Sequence, residues 1–396
     1  MTTGALTGLK VADFSWVGAG PRSTKDLADN GATVVKIESR RRLDLGRRSP
    51  PFAGGDRRNH DASVFFAQTN TSKKSVTINL GDPRGVEVAK RLVAWSDVVV
   101  ENFGPGYMDR IGLDWATLQQ VRPGIILASV SVAGRSGPLA GFRGYGNSAA
   151  AYSGHCDMTG WPGSDPHMPP FAYGDVVAPM MLTVAILSAL EQRDRTGEGC
   201  HVDVSQIEAM VHVAGDLFAE MPQEKPANSD PVMAPHGVYP CAGEEAWIAI
   251  ACEDDAQWWA LCGVLGAGDL SGRWPDAAAR HTAGEELDAA LSVLTTAQDR
   301  DALEASLVAA GVPAGAVLDG KGLSEHPALN AAGHFVTVDH PVIGAAKMPA
   351  PPYTFSATPG TVGPSPCLGA DNAEVFAEVG LTETEIAALT EEGVLA

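Results

Sequence analysis

Positive charge is scarce in this 396-residue chain: 28 Lys and Arg stand against 48 Asp and Glu, for a formal net charge of −20. That balance excludes nucleic acid as the expected partner, because wrapping a phosphate backbone needs an extended positive surface. Cysteines are few, and the six present (Cys156, Cys200, Cys241, Cys252, Cys262, Cys367) lie far apart with no C-x-x-C pair. They read as reduced core thiols of a cytoplasmic protein. The start MTTGALTGLKVADFS lacks a basic stretch followed by an apolar one, so no secretory signal is expected. The longest apolar run, Val176 to Leu190, is interrupted by Pro179 and Thr183. It is too short to span a bilayer and reads as a buried helix, so no membrane partner is expected. G-x-S-x-G and H-E-x-x-H are both missing, and His155, Cys156 and Asp157 are too close together to direct three side chains to one ion. No metal site is expected, and no internal repeat or low-complexity tract is visible.

What is present is a large core and many turns. Hydrophobic residues make up 45% of the chain, and Gly 44 with Pro 27 point to a fold rich in backbone-lined loops. The length suits two domains or one large one. The charge is uneven: residues 1 to 100 hold 16 Lys and Arg against 10 Asp and Glu, leaving 12 against 38 for the rest. A basic quarter on an acidic chain argues for a small phosphorylated ligand.

Short apolar runs at 9–14, 33–38, 75–80, 97–101, 125–132 and 201–204 alternate with helical stretches, including 23–30, 83–95 and 176–193. Strands without clean period-two patterning, separated by helices, imply a parallel sheet covered on both faces, a doubly wound α/β domain. A polar, proline-rich stretch at 222–237 reads as a linker, and 238–325, with a strand signal at 247–252, as a smaller α+β domain. A second proline-rich stretch, 341–366, precedes a helix-forming segment at 372–389, so 326–396 reads as a second linker and a return to the large domain of residues 1–221.

Several motifs bear on chemistry. Gly18-x-Gly20-x-x-Ser23 follows a strand, and Glu38 ends the next one, which mimics a dinucleotide fingerprint; Ser23 replaces its third glycine, and a plain tight turn fits as well. Gly315-x4-Gly320-Lys321 imitates a phosphate loop, but Gly322 stands where Ser or Thr would ligate Mg²⁺. The cluster Arg40, Arg41, Arg42, Arg47, Arg48, Arg57 and Arg58 follows the strand ending at Glu38 and either grips phosphates or forms a solvated surface. Asp175, just before the apolar helix, either caps that helix or is held ionised as a nucleophile. The residues alone leave both roles open.

Taken together, LKVADFSWVGAGPRSTKDLADNGATVVKIE, TNTSKKSVTINL, VENFGPGYMDRIGLDW, IILASVSVAG and GDVVAPMMLTVAILSALEQRDRTGEGCHVDVS resemble the class III CoA-transferases of the CaiB/BaiF type, a family that also contains 2-methylacyl-CoA racemases. GVPAGAV, HPALNAAGHFV and PAPPYTFS extend the likeness toward the C-terminus. The resemblance implies that Asp175 is the nucleophile, passing through an acyl anhydride and an aspartyl-CoA thioester. It implies coenzyme A or acyl-CoA as cosubstrate with no tightly bound cofactor, a small carboxylic acid as second substrate, a Rossmann-like large domain, and an interlocked homodimer. Carried over by position, the nucleotide contacts fall on Gly18, Ala19, Ser39, Arg40, Ile78, Asn79, Leu80, Gly81, Asn102, Phe103, Gly104, Arg110, Arg143, Gly144, Tyr145 and Gly146, with Arg40 and Arg110 as phosphate contacts. The family's racemases carry His where Tyr145 stands here, and Tyr, with a pKa near ~10, is a poor proton-transfer partner at neutral pH. The formyl-CoA transferases carry Gln at Gly18 and a run of glycines where this chain has Ala234-Pro235-His236-Gly237-Val238, so formate and oxalate are disfavoured.

Overall fold

The computed structural model describes residues 4–215, 225 and 227–396. Six short strands form one parallel sheet: β1 (Lys10–Asp13), β2 (Thr33–Glu38), β3 (Lys74–Thr77), β4 (Val98–Glu101), β5 (Ile126–Ser131) and β6 (His201–Ser205), in the order β3-β2-β1-β4-β5-β6. Every neighbouring pair is parallel. Parallel strands need crossovers, and the crossover helices cover both faces, so successive residues of one strand enter different cores.

Alternation along the strands shows this directly. Ala12, Val35, Val76, Val99 and Leu127 pack on one face with Leu92 and Val93 of the helix Pro83–Trp95 and with Val375 and Phe376 near the C-terminus. Val11, Val34, Val98, Ile126 and Ala128 pack on the other with Leu27 of the first helix, Ala19–Asp29, and with Ala178, Leu182 and Ile186 of the long helix Gly174–Thr196. That long helix stops where Gly197 adopts a φ of 77°, a left-handed stop that glycine takes without strain, with Arg193 and Arg195 in its last turn. At 23 residues it is long and apolar enough by composition to cross a membrane, which the apolar run alone did not suggest. The run underestimated the helix because polar residues at both ends continue it.

The described residues divide into two compact units. One contains residues 4–156, 167–215 and 327–396; the other contains 157–166, 225 and 227–326. In the second, β7 (His236–Pro240), β8 (Trp247–Ala251) and β9 (Ala314–Val317) form an antiparallel sheet in the order β7-β8-β9. Ile248, Ile250, Trp258, Leu261, Leu287, Leu291, Leu303 and Leu307 fill its core. Strand β7 takes in His236 and Gly237, which the sequence assigned to a linker; residues 222–224 and 226 of that linker lie outside the described residues.

Two C-terminal expectations change. The proline-rich stretch contains half of a hairpin, β10 (Phe335–His340) against β11 (Gly344–Pro349), with Pro349 as the last residue of this two-stranded sheet, where a missing N–H is tolerated. The single terminal helix is two, Asn372–Glu378 and Glu383–Glu391, since Gly380 turns at a φ of 86° and Thr382 starts a new helix with a capping box to Glu385. This tail lies along β3 and its exit: Asn79 N donates to Val394 O at 2.8 Å, and Thr77 Oγ1 to Leu395 O at 2.9 Å.

Candidate active site

Beyond β1 the chain crosses the carboxyl end of the sheet as Ser15-Trp16-Val17-Gly18 before entering the first helix. Asn102, just after β4, clamps that crossing: its Oδ1 accepts from Trp16 N and its Nδ2 donates to Trp16 O, both at 2.7 Å. β1 and β4 are neighbours where the strand order reverses, and a parallel sheet opens a crevice at that point. The shared direction of the parallel strands thus delivers several loop ends to one place.

Asp175 projects into this crevice. It does not cap the long helix: the cap position is Tyr173, and Asp175 lies in the first turn with its own N–H donating to Ala172 O at 2.9 Å. Its carboxylate instead accepts one hydrogen bond on each oxygen, from Gly146 N to Oδ2 at 3.2 Å and from Gln206 Nε2 to Oδ1 at 2.9 Å. Burial pushes its pKa above the ordinary aspartate range, while the Gly146 N–H, the Gln206 amide and the Arg22 guanidinium pull the other way. The expected stabilisation of the ionised form by a capping role is therefore replaced by a half-buried carboxylate held by two donors.

Two glycines make room for it. A methyl group on Gly18 would come within 3.1 Å of the Asp175 Cβ and Cγ, and one on Gly146 within 2.4 Å of Asp175 N and 2.9 Å of its Cγ. Any side chain at Gly146 would displace the helix start, because the obstructing atoms include backbone.

A cavity of about 300 Å³ opens in front of Asp175, lined by Gly18, Ala19, Asn102, Phe103, Gly104, Arg110, Arg143, Gly144 and Tyr145 among the expected residues. A second cavity of about 320 Å³ is lined by Ser39, Ile78, Asn79, Leu80 and Gly81. The two share Trp16, Arg42, Phe103 and Tyr107 as walls, so they adjoin along a cleft region that runs from the carboxyl ends of β2 and β3 to Asp175. Gly146 lines neither cavity and meets Asp175 through its N–H. Arg40 is exposed and lines neither, whereas its neighbours do: Arg41 borders the second cavity and Arg42 borders both. The Arg42 guanidinium lies 5.1 Å from the Trp16 ring centroid and 5.7 Å from that of Tyr107, and the Arg110 guanidinium is 5.7 Å from Tyr107. Aromatic faces thus hold both cations at the cleft.

Trp16, Val17, Tyr107 and Gln206 were not singled out by the sequence, and Arg42 only as one member of the arginine cluster. Gln206 had one readable signal: it opens a helix directly after β6, capped by Ser205, at the same sheet end as the other loops.

A protein-family model described as CoA-transferase family III matches residues 6–372. The chain belongs to this family. Its succinyl-CoA–D-citramalate CoA-transferase relative from Chloroflexus aurantiacus is 32% identical, over 97% of this chain and 96% of the relative. A succinate–glutarate CoA-transferase from Agrobacterium fabrum is 30% identical, over 96% of each chain. Among solved structures, a CaiB/BaiF family protein from Brucella suis superposes with a TM-score of 0.87 at 32% identity, covering 96% of this chain and all of the other. The protein is thus a family III CoA-transferase, an enzyme class that uses CoA thioesters as cosubstrates, on an α/β fold with a parallel central sheet.

Proposed function

We propose that this enzyme moves CoA from an acyl-CoA donor to a small carboxylic acid with Asp175 as the covalent relay. The observation that carries the reading is the Asp175 carboxylate at one end of the cleft, with one hydrogen-bond donor on each oxygen and no side chain at Gly18 or Gly146 to obstruct its approach. One Asp175 oxygen attacks the thioester carbonyl of the donor, and CoA leaves as thiolate, giving a mixed anhydride. The thiolate then attacks the aspartyl carbonyl; the donor acid departs as its carboxylate, and Asp175 carries CoA as a thioester. An acceptor carboxylate reverses the sequence and regenerates the free aspartate. Each step exchanges one acyl bond for another, so the thioester is conserved and ATP is not consumed. Gln206 Nε2 and Gly146 N, already on the carboxylate oxygens, are placed to stabilise the oxyanion that forms when the aspartyl carbonyl is attacked.

In this reading the CoA nucleotide occupies the cavity bounded by Ser39 and by Ile78 to Gly81, and its pantetheine arm follows the shared wall of Trp16, Phe103 and Tyr107. Arg41, Arg42 and Arg110 are the phosphate contacts in place of Arg40. A short dicarboxylic acid is the acceptor class, supported by the names of the citramalate and glutarate relatives. The racemase alternative lacks a second proton carrier: among the described residues lining the Asp175 cavity there is Tyr145 but no histidine. The enzyme works in the cytoplasm as an interlocked homodimer. Support for a partner copy comes from the long helix, where Met180, Val184 and Leu187, spaced along one face, are 57%, 61% and 40% exposed.

Asp175→Ala is expected to abolish exchange of labelled succinate into succinyl-CoA, with an unchanged circular-dichroism spectrum and melting temperature within a few degrees. Turnover close to that of the unsubstituted enzyme would overturn the mechanism. Val184→Glu is expected to shift sedimentation toward the monomer; an unaltered sedimentation profile would remove this face from the dimer.

A further inference from the structure

Val17 has a φ of 64°, in the left-handed region, where a β-branched side chain crowds its own backbone. Such a conformation persists only where its surroundings impose it, and it concentrates at sites that need a fixed geometry. Here the imposing group is Asp44. Its Oδ1 accepts the Val17 N–H at 2.8 Å and the Gly46 N–H at 2.7 Å, and the residue is fully buried. Its Oδ2 lies 2.8 Å from Lys36 Nζ, also fully buried, and Lys36 Nζ donates to Ser15 O at 2.6 Å. Burial alone would lower the Lys36 pKa, but Asp44, Asp13 and Glu38 around it hold it above the ordinary lysine value, so Lys36 is charged at neutral pH.

One buried ion pair therefore grips the crossing at both ends: Lys36 holds the carbonyl of Ser15 and Asp44 holds the amide of Val17, with Asn102 fixing Trp16 between them. The next residue is Gly18, the one packed against the Asp175 Cβ and Cγ. We propose that Asp44 is a positioning residue for the transfer reaction, acting through the strained Val17 to set the Gly18 backbone against Asp175. Asp44 lines neither cavity; its effect passes through the main chain of Val17, itself a wall of the Asp175 cavity, to Gly18. The proposal rests on Asp175 being the nucleophile.

The test compares two double variants that delete the same charges. Lys36→Met/Asp44→Asn keeps an amide oxygen for the Val17 and Gly46 N–H groups; Lys36→Met/Asp44→Leu keeps none. With succinyl-CoA as donor, single-turnover formation of the Asp175 adduct and steady-state kcat are expected to fall by no more than about tenfold in the first, which loses the Lys36 hold on the Ser15 carbonyl but keeps the hold on Val17. In the second both are expected to fall roughly 100-fold, with KM for succinyl-CoA within about threefold, the pattern of lost alignment rather than lost binding. Equal kcat in the two doubles, or a loss confined to KM, overturns the proposal. Val17→Pro leaves the ion pair intact while removing the N–H and forbidding the positive φ, so it gives the same reading should the leucine double fail to fold. It too is expected to lose kcat roughly 100-fold at unchanged KM, and retained kcat overturns the proposal. Absence of any Asp175 adduct in the parent enzyme would instead defeat the nucleophile assignment itself, which separates the two failures.

Discussion

Beneath the cleft of the large unit lie three ion pairs whose side chains have no exposed surface, Asp13–Lys73 at 3.0 Å, Asp44–Lys36 at 2.8 Å and Glu38–Arg47 at 2.8 Å. The small unit has a core of leucine, isoleucine and tryptophan around a three-stranded sheet, with Arg280 as its fully buried charge among the described residues. Buried ion pairs are poor devices for stability, since desolvation offsets most of their attraction. Their grouping at one sheet end, with hydrogen bonds to the Ser15 carbonyl and the Val17 amide, fits a role in fixing loops. The core of the small unit is held instead by apolar packing.

Breaking each side of this contrast should give different symptoms. In the small unit, Trp258→Ala removes a fully buried ring that packs near Trp274 at 6.4 Å between centroids. It is expected to cost about 3–5 kcal/mol in denaturant unfolding of that unit, while the folded fraction still forms the Asp175 adduct at the parent rate. In the large unit, Gln206→Leu is expected to leave stability nearly unchanged but to lower kcat roughly 100-fold, about 2.7 kcal/mol of barrier. Gln206 helps hold the Asp175 pKa down, so its loss raises that pKa further and moves the acid limb of the pH–rate profile to higher pH. A profile that kept its acid limb in place would mean that Gln206 does not act on the carboxylate.

The smallest effect sharpens the contrast by removing a charge, that of Asp26, which forms no ion pair within 4.0 Å among the described residues. Asp26, in the first helix, is raised to about 6 by burial, with Asp29 adding repulsion and Lys25, Lys73 and Arg22 opposing. A carboxyl whose folded pKa exceeds its unfolded one favours folding below the unfolded value and loses that contribution as pH rises through about 6. Asp26→Asn should therefore stabilise the protein by about 2 kcal/mol at neutral pH, with the gain fading below pH ~4. Equal melting temperatures of the two proteins at pH 7 would contradict this.

Much of the large unit was legible in the sequence because its strands are continuous apolar runs separated by helices, a pattern tied to a parallel sheet. The runs at 33–38 and 97–101 lie within a residue of β2 and β4. Asp175 was visible as a residue, yet its role needed the resemblance, since a Gly-Asp before a helix looks the same whether it caps or reacts. Val17 and Asp44 gave no such signal, and Gln206 only its place at a helix start after β6. Asp44 reaches Val17 across 27 positions and Gln206 reaches Asp175 across 31, contacts that neither periodicity nor composition encodes. The arginine run shows the same limit at close range: charge located the loop, but only the backbone path decided that Arg42 rather than Arg40 faces the cleft.

The central claim is that Asp175 becomes covalently linked to CoA during transfer. Incubating the enzyme with succinyl-CoA, quenching with hydroxylamine and sequencing the digest by mass spectrometry tests it most directly. The account predicts a hydroxamate on the side chain of Asp175 that is abolished when succinyl-CoA is omitted. An unmodified Asp175 peptide from enzyme that is turning over, or a hydroxamate on another carboxylate, would contradict it.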